Sequence, residues 1–214
     1  MPDPAEYEDG PERGAADVMW AHLTPPYRTI VADPPWSYRT SSGITTRTSH
    51  GTSCAEDHYS TMTNAEIAAM PVSDLAADDA HLYMWVTNPK MYGTRKNDGP
   101  NPAEIMEAWG FRYITLLTWH KTPGALGMGF YFRGQTEHVL FGVRGTLPIP
   151  SDRRERNIFA AAMTGHSRKP AAFFDLVERV SPGPYLELFS REPRLGWDTW
   201  GKGFEARITT EGAA

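Results

Sequence analysis

Cysteine is almost missing from this chain: of 214 residues, only Cys54 carries a thiol. That excludes an internal disulfide and a cysteine-based zinc site. No apolar run approaches the roughly 18 residues of a membrane span. The acidic start does not read as a secretory signal, so a cytoplasmic setting is expected. No Gly-x-Gly-x-x-Gly stretch is present, which removes the ordinary dinucleotide fingerprint. His50, His58, His120, His138 and His166 match no compact ligand spacing and have no acidic pair beside them. They are expected to be structural or loop histidines, and no metal is expected.

An excess of positive charge is also lacking, since the net charge is −5. Its position matters more than its sum. Residues 1–18 hold Asp3, Glu6, Glu8, Asp9, Glu12 and Asp17 against Arg13 alone, so the rest of the chain is formally neutral. Nucleic-acid binding depends on local basic loops rather than on total charge, and a neutral body predicts weak binding without help.

What is present is the composition of a globular domain, with 40% hydrophobic and 22% charged residues. A chain of this length can bury roughly 70% of its unfolded surface. Residues 1–16 read as a disordered acidic tail, 17–204 as one domain, and 205–214 as a flexible tail. Strands are expected at Arg28–Ala32, His81–Val86, Tyr113–His120, His138–Val143 and Tyr185–Phe189, with a shorter one at Ile158–Ala160. Thr63-Asn64-Ala65-Glu66 fits a capping box for a helix ending near Met70-Pro71. Asn101 caps a helix over Pro102–Trp109 that Gly110 closes. Pro170 suits the first turn of a third helix, running to Arg179. This alternation predicts an α/β fold around a largely parallel sheet, with ligands at the carboxyl ends of its strands. Three long loops, 37–61, 87–100 and 121–135, all follow expected strands and should gather at that edge.

Asp33-Pro34-Pro35-Trp36 stands directly after the buried strand ending Ile30-Val31-Ala32. Alone, Asp-Pro-Pro reads as a strand-terminating turn. At the carboxyl end of a strand it also suits an amino group on a flat ring. Asp33 can accept one amino proton and the Pro34 carbonyl the other, which frees the nitrogen lone pair to attack an electrophile. The two prolines fix the direction of their carbonyls and bring no competing N–H. Trp36 can stack on the base, which must then be single-stranded or flipped out of a duplex.

From Ile30 to Trp36 the chain resembles the catalytic motif of the N6-adenine methyltransferase family that includes the eukaryotic messenger-RNA N6-adenosine methyltransferase catalytic subunit and bacterial and phage relatives. The similarity continues through His58–Met62, Leu82–Thr87, Trp119–Thr122, Glu137-His138, His166–Pro170 and Leu186–Arg191, closing on Trp197 and Trp200-Gly201. These segments keep the family's order over about residues 27–203. The resemblance implies a Rossmann-like fold dependent on S-adenosylmethionine, with the catalytic corner preceding the cofactor motif (a permuted order). It implies catalytic roles for Asp33, Pro34, Pro35 and Trp36, and places Tyr59 beside the flipped base. Lys121 and Arg133 are candidate substrate contacts. Ser151–Arg156 is either a solvated loop or a further phosphate contact.

Glu187 is costly in an apolar strand unless paired, either with a ligand or with an arginine such as Arg191. In the family its strand borders the cofactor pocket. The resemblance accordingly implies cofactor contacts for Asp33, Glu187, Phe189, Ser190, Arg191, Trp200 and Gly201. It gives Lys169 a cofactor or substrate contact and matches Asp17-Val18 to the segment that holds the cofactor adenine. Lys202-Gly203 depart from the family's Asn followed by Gln or Glu, which puts the ribose contacts in question. Two readings therefore stand: an active adenine N6-methyltransferase acting on DNA or RNA, or a methyltransferase-like domain without activity that binds nucleic acid or scaffolds a partner. Eukaryotic relatives work with a partner subunit, and a neutral body leaves room for a homodimer or helper.

Overall fold

The computed structural model describes residues 20–37, 61–92, 99–122, 131–163 and 168–201. The elements are β1 (Tyr27–Ala32), α1 (Asn64–Ala68), β2 (Ala76–Val86), α2 (Pro102–Ala108) and β3 (Arg112–Lys121). They continue with β4 (Thr136–Arg144), β5 (Ile158–Ala161), α3 (Ala171–Val180), β6 (Tyr185–Leu188) and β7 (Trp197–Trp200). The acidic tail, the C-terminal tail and the domain limits expected at 17 and 204 lie outside the described residues.

The strands form one seven-stranded sheet in the order β5-β3-β4-β2-β1-β6-β7. β1 pairs in parallel with β2 and β6, β6 with β7, and β3 with β5. β4 runs against both its neighbours. The sheet is therefore mixed but mostly parallel. The carboxyl ends of the other six strands and the amino end of β4 share one edge; much of the three long loops expected there lies outside the described residues.

Both faces are covered, which explains the nearly continuous apolar run from Leu82 to Val86. Leu82, Met84 and Val86 turn to a core shared with Ile30, Ile67, Ile105, Met106 and Trp109. Tyr83 and Trp85 turn the other way, to Val31, Trp119, Phe173, Phe174 and Val177. The first face carries α1 and α2, and the second carries α3.

Both expected capping boxes form. The Thr63 side chain accepts from the Glu66 amide while Glu66 reaches back to the Thr63 amide, and Asn101 and Glu104 repeat the arrangement. Gly110 follows α2 at φ 84°, the left-handed turn that favours glycine. α3 differs slightly from expectation, because Pro170 is its N-cap and the helix runs to Val180. β2 begins at Ala76, five residues before the expected start, and its exposed Asp78 and Asp79 hide that extension from an apolar pattern. β7 was not expected at all. Trp-Asp-Thr-Trp is too short and polar to announce a strand, and only pairing with β6 orders it.

Candidate active site

The corner after β1 is held from three sides. The Asp33 amide donates to the Leu188 carbonyl at 3.3 Å, tying it to β6. The Met62 amide donates to the Pro35 carbonyl at 2.9 Å, and the Trp36 indole donates to the Trp85 carbonyl at 3.0 Å. Trp36 is only 5% exposed and packs in the α1-side core. Its burial and its bond to the Trp85 carbonyl make it an anchor of the corner. The Pro34 carbonyl accepts from the Trp36 amide at 2.8 Å, leaving its second lone pair for a ligand.

Asp33 opens a chain of alternating charges. Lys169 Nζ lies 3.1 Å from Asp33 Oδ1 and also donates to Glu137 Oε1. Lys121 Nζ reaches the other oxygen of Glu137 at 2.9 Å. Each ammonium also sits over an indole, Lys169 at 4.6 Å from the Trp85 ring and Lys121 at 4.9 Å from Trp119. Topology makes this possible. Asp33 leaves β1, Lys121 ends β3, Glu137 lies at the start of the reversed strand β4, and Lys169 precedes α3.

Burial sets the proton affinities here. It pushes the Asp33 carboxyl above its ordinary value; Lys169 works against the rise and Glu137 adds to it. Burial would also raise Glu137, but Lys169 and Lys121 outweigh it and hold that carboxyl low. Lys169 is depressed by burial, yet Asp33 and Glu137 together lift it above its usual value. It stays charged. The result is an ionised Glu137 gripped by two lysines, and an Asp33 whose carboxylate is oriented and more basic than usual.

Glu187 lies on the same face, in β6, paired in register with Val31. Its carboxyl is pushed up to about 7, chiefly by burial and further by Asp33, with Arg194 and Ser190 opposing. The positive charge acting most on it comes from Arg194, not from the Arg191 expected as its structural partner; Arg191 acts on Asp33. Beyond β6 the chain turns at Phe189, whose φ of 62° is uncommon for a bulky residue and marks local backbone strain. The Ser190 amide then donates to the Trp200 carbonyl at 2.9 Å. Gly201 packs so tightly on this turn that an added Cβ would lie 2.1 Å from the Ser190 carbonyl oxygen. Trp200 meets Phe189 edge-on at 5.5 Å and Trp20 at 5.0 Å.

The structure thus gathers Asp33, Pro34, Lys121, Lys169 and Glu187 at one strand edge, beside Phe189, Ser190, Trp200 and Gly201. Arg133 is exposed, four residues before Glu137, next to Tyr131 at 96% and Phe132 at 90% exposure. Asp17, Val18, Tyr59, Lys202 and Gly203 lie outside the described residues. Glu137 and Trp85 lie in segments that carry the family resemblance but were given no role from sequence, and Arg194 was not singled out at all. Besides that match, Glu137 carries a physical signal, a carboxylate near the start of a largely apolar strand.

This order of motifs around a mostly parallel sheet has relatives. The MT-A70 family pattern matches residues 27–203. The chain belongs to the MT-A70 family of N6-adenine methyltransferases. It is 32% identical over 188 residues to the type II methyltransferase M.MunI of Mycoplasma sp, covering 82% of this chain and 76% of that one. It is 26% identical over 184 residues to the human N(6)-adenosine-methyltransferase catalytic subunit METTL3, again 82% of this chain but 28% of the relative. With the human N(6)-adenine-specific methyltransferase METTL4 it shares 28% identity over 191 residues, 82% of this chain and 37% of the relative. The chain therefore spans most of the bacterial relative and well under half of the human ones. Family members use S-adenosylmethionine as methyl donor. The Asp33 corner and the β6–β7 turn fit such a donor, as a carboxylate pair and a tight backbone turn at one strand edge. Among the described residues no helix is long and apolar enough to cross a membrane.

Proposed function

We propose that this chain methylates the exocyclic amino group of a single-stranded or flipped-out adenine in nucleic acid, using S-adenosylmethionine bound between the Asp33 corner and the β6–β7 turn in a Rossmann-like, permuted domain. The observation that carries this reading is Asp33, oriented by Lys169 beside an unfilled lone pair on the Pro34 carbonyl. Two acceptors fixed on one corner fit the two protons of an amino group.

Bound S-adenosylmethionine supplies an electrophilic methyl carbon with a good leaving group. Asp33 and the Pro34 carbonyl hold the amino protons and turn the nitrogen lone pair towards that carbon. As the methyl group passes to the nitrogen, Asp33 would take up the amino proton that the nitrogen loses and pass it to solvent. Orientation supplies most of the acceleration. Lys169 keeps the Asp33 carboxylate in place, and Glu137 with Lys121 keeps Lys169 in place.

The substrate side draws on Arg133 and the exposed Tyr131 and Phe132, which suit phosphate and unpaired bases. M.MunI is named a type II methyltransferase and METTL3 an adenosine methyltransferase, so both DNA and RNA pools belong in the test. The experiment is methyl transfer from labelled S-adenosylmethionine to matched DNA and RNA, followed by nucleoside mass spectrometry. N6-methyladenine in one pool, lost in Asp33→Ala with the fold intact, is the expected result. Near-normal turnover in Asp33→Ala would sink the mechanism.

A further inference from the structure

β7 is the last strand on its side of the sheet, four residues long and, among the described residues, paired with β6 alone. So short an edge strand is weakly held by its own ladder. Its position nevertheless bears on the site. The Ser190 amide donates to the Trp200 carbonyl, and the Gly201 backbone lies too close to Ser190 to admit a Cβ. The Trp200 ring also meets that of Phe189, the residue in the left-handed conformation. A small shift of β7 therefore reaches Phe189 and Ser190 directly.

A second hold on β7 comes from the chain ahead of β1, residues 20–27. Asp198, inside β7, accepts two hydroxyl bonds on one oxygen, from Thr24 at 2.8 Å and from Tyr27. Bonds to a charged acceptor are the strong kind. The Thr24 amide in turn donates to the Tyr27 hydroxyl at 2.8 Å, so the three residues close on one another. Tyr27 is 1% exposed; burial and then its bond to Asp198 push its hydroxyl up to about 12, so it stays a donor at neutral pH. A ring nitrogen of His22 lies 3.2 Å from the Thr199 carbonyl oxygen. At the head of the segment, the Leu23 amide donates to the Trp20 carbonyl at 2.8 Å. The buried Trp20 ring then packs edge-on against Trp200 at 5.0 Å.

We propose that Asp198 is a positioning residue for methyl transfer: it clamps residues 20–27 to β7, so that Trp20 braces Trp200 and holds Phe189 and Ser190 in the conformation that receives the methyl donor. This rests on the reading that S-adenosylmethionine binds at the β6–β7 turn. Asp198 acts through Trp20 and Trp200, not by contact with the donor.

Amide hydrogen exchange on the full, unliganded chain reads the brace without any ligand. In Asp198→Ala the Ser190 amide is expected to exchange at least about tenfold faster while the β2 amides keep their rates. Calorimetric titration with S-adenosylhomocysteine should show binding at least about fivefold weaker at unchanged stoichiometry. In steady state the KM for S-adenosylmethionine rises by a similar factor and kcat stays within about twofold. Asp198→Asn keeps an oxygen for one hydroxyl and is expected to fall between wild type and Asp198→Ala. It keeps the test decisive should the alanine variant fold poorly. Trp20→Leu removes the brace at its other end. Because both changes act by one route, the double variant should bind within about twofold of the weaker single one, whereas independent routes would multiply the losses.

A lower melting point or stoichiometry with unchanged affinity would reduce Asp198 to a structural residue and overturn the proposal. A fall in kcat at constant KM, an unmoved Ser190 amide, or multiplied losses in the double variant would overturn it as well. A wild-type chain that binds no S-adenosylhomocysteine would sink the methyl-donor reading and this proposal with it, an outcome distinct from any loss confined to the variants.

Discussion

Replacing Lys169 with methionine tests the charge chain directly. The side chains of Lys169, Glu137 and Asp33 are 10%, 11% and 22% exposed. Removing one partner of a buried ion pair costs about 3–5 kcal/mol. Two features reduce that here: Glu137 keeps Lys121 at 2.9 Å, and the more open Asp33 can take up a proton. About 2–3 kcal/mol is therefore expected near pH 8. At about 2–4 °C per kcal/mol for a chain of this size, the melting point should fall by about 4–12 °C. The loss should shrink towards pH 5.5. Without Lys169 the Asp33 carboxyl, already raised by burial, rises further. A carboxyl raised in the folded state gives up stability as pH climbs through its folded value, so the variant suffers most at alkaline pH. Catalysis should report the same shift, because Asp33 must be ionised to accept an amino proton: the acid limb of the rate profile moves to higher pH. Thermal melts at pH 5.5 and 8 and a methyl-transfer pH profile measure both. Equal melting losses at the two pH values, or an unmoved acid limb, would refute the coupling of Lys169 to Asp33.

Glu187, raised from 4.5 to about 7, makes the unliganded fold most stable at acid pH with respect to this group. That contribution is complete below about pH 4.5 and is lost as pH rises to about 7, with a size of about 1–3 kcal/mol. Denaturant titrations of wild type and Glu187→Gln across that range should diverge accordingly, and parallel curves would contradict the burial of an ionisable Glu187. At Gly201, alanine would press its Cβ onto Ser190 at 2.1 Å from the carbonyl oxygen and 2.6 Å from the amide nitrogen. Gly201→Ala should lose about 1–3 kcal/mol by overpacking and weaken cofactor binding as the turn shifts. An unchanged denaturation midpoint would show that the turn yields freely.

Much of the fold was written locally. The capping boxes at Thr63 and Asn101 and the left-handed Gly110 place α1 and α2, since each depends on residues within one turn of the chain. The apolar runs of β1, β2, β4 and β6 announce buried strands, and their polar exits announce a functional edge. The Asp33-Pro34-Pro35-Trp36 corner stood out because its chemistry is contiguous. Tertiary structure decided what contiguity cannot. Glu137 becomes part of the site only because β4 runs backwards and brings its first residues to the edge where its neighbours end. Lys169 meets Asp33 and Glu137 across three elements. That Trp36 is buried and tied to the Trp85 carbonyl could not be read locally, because that carbonyl is 49 residues away. Residue type and local spacing determined which chemistry the chain could offer. Long-range strand order determined which charges face one another, since coulombic partners and desolvation exist only after the sheet has closed.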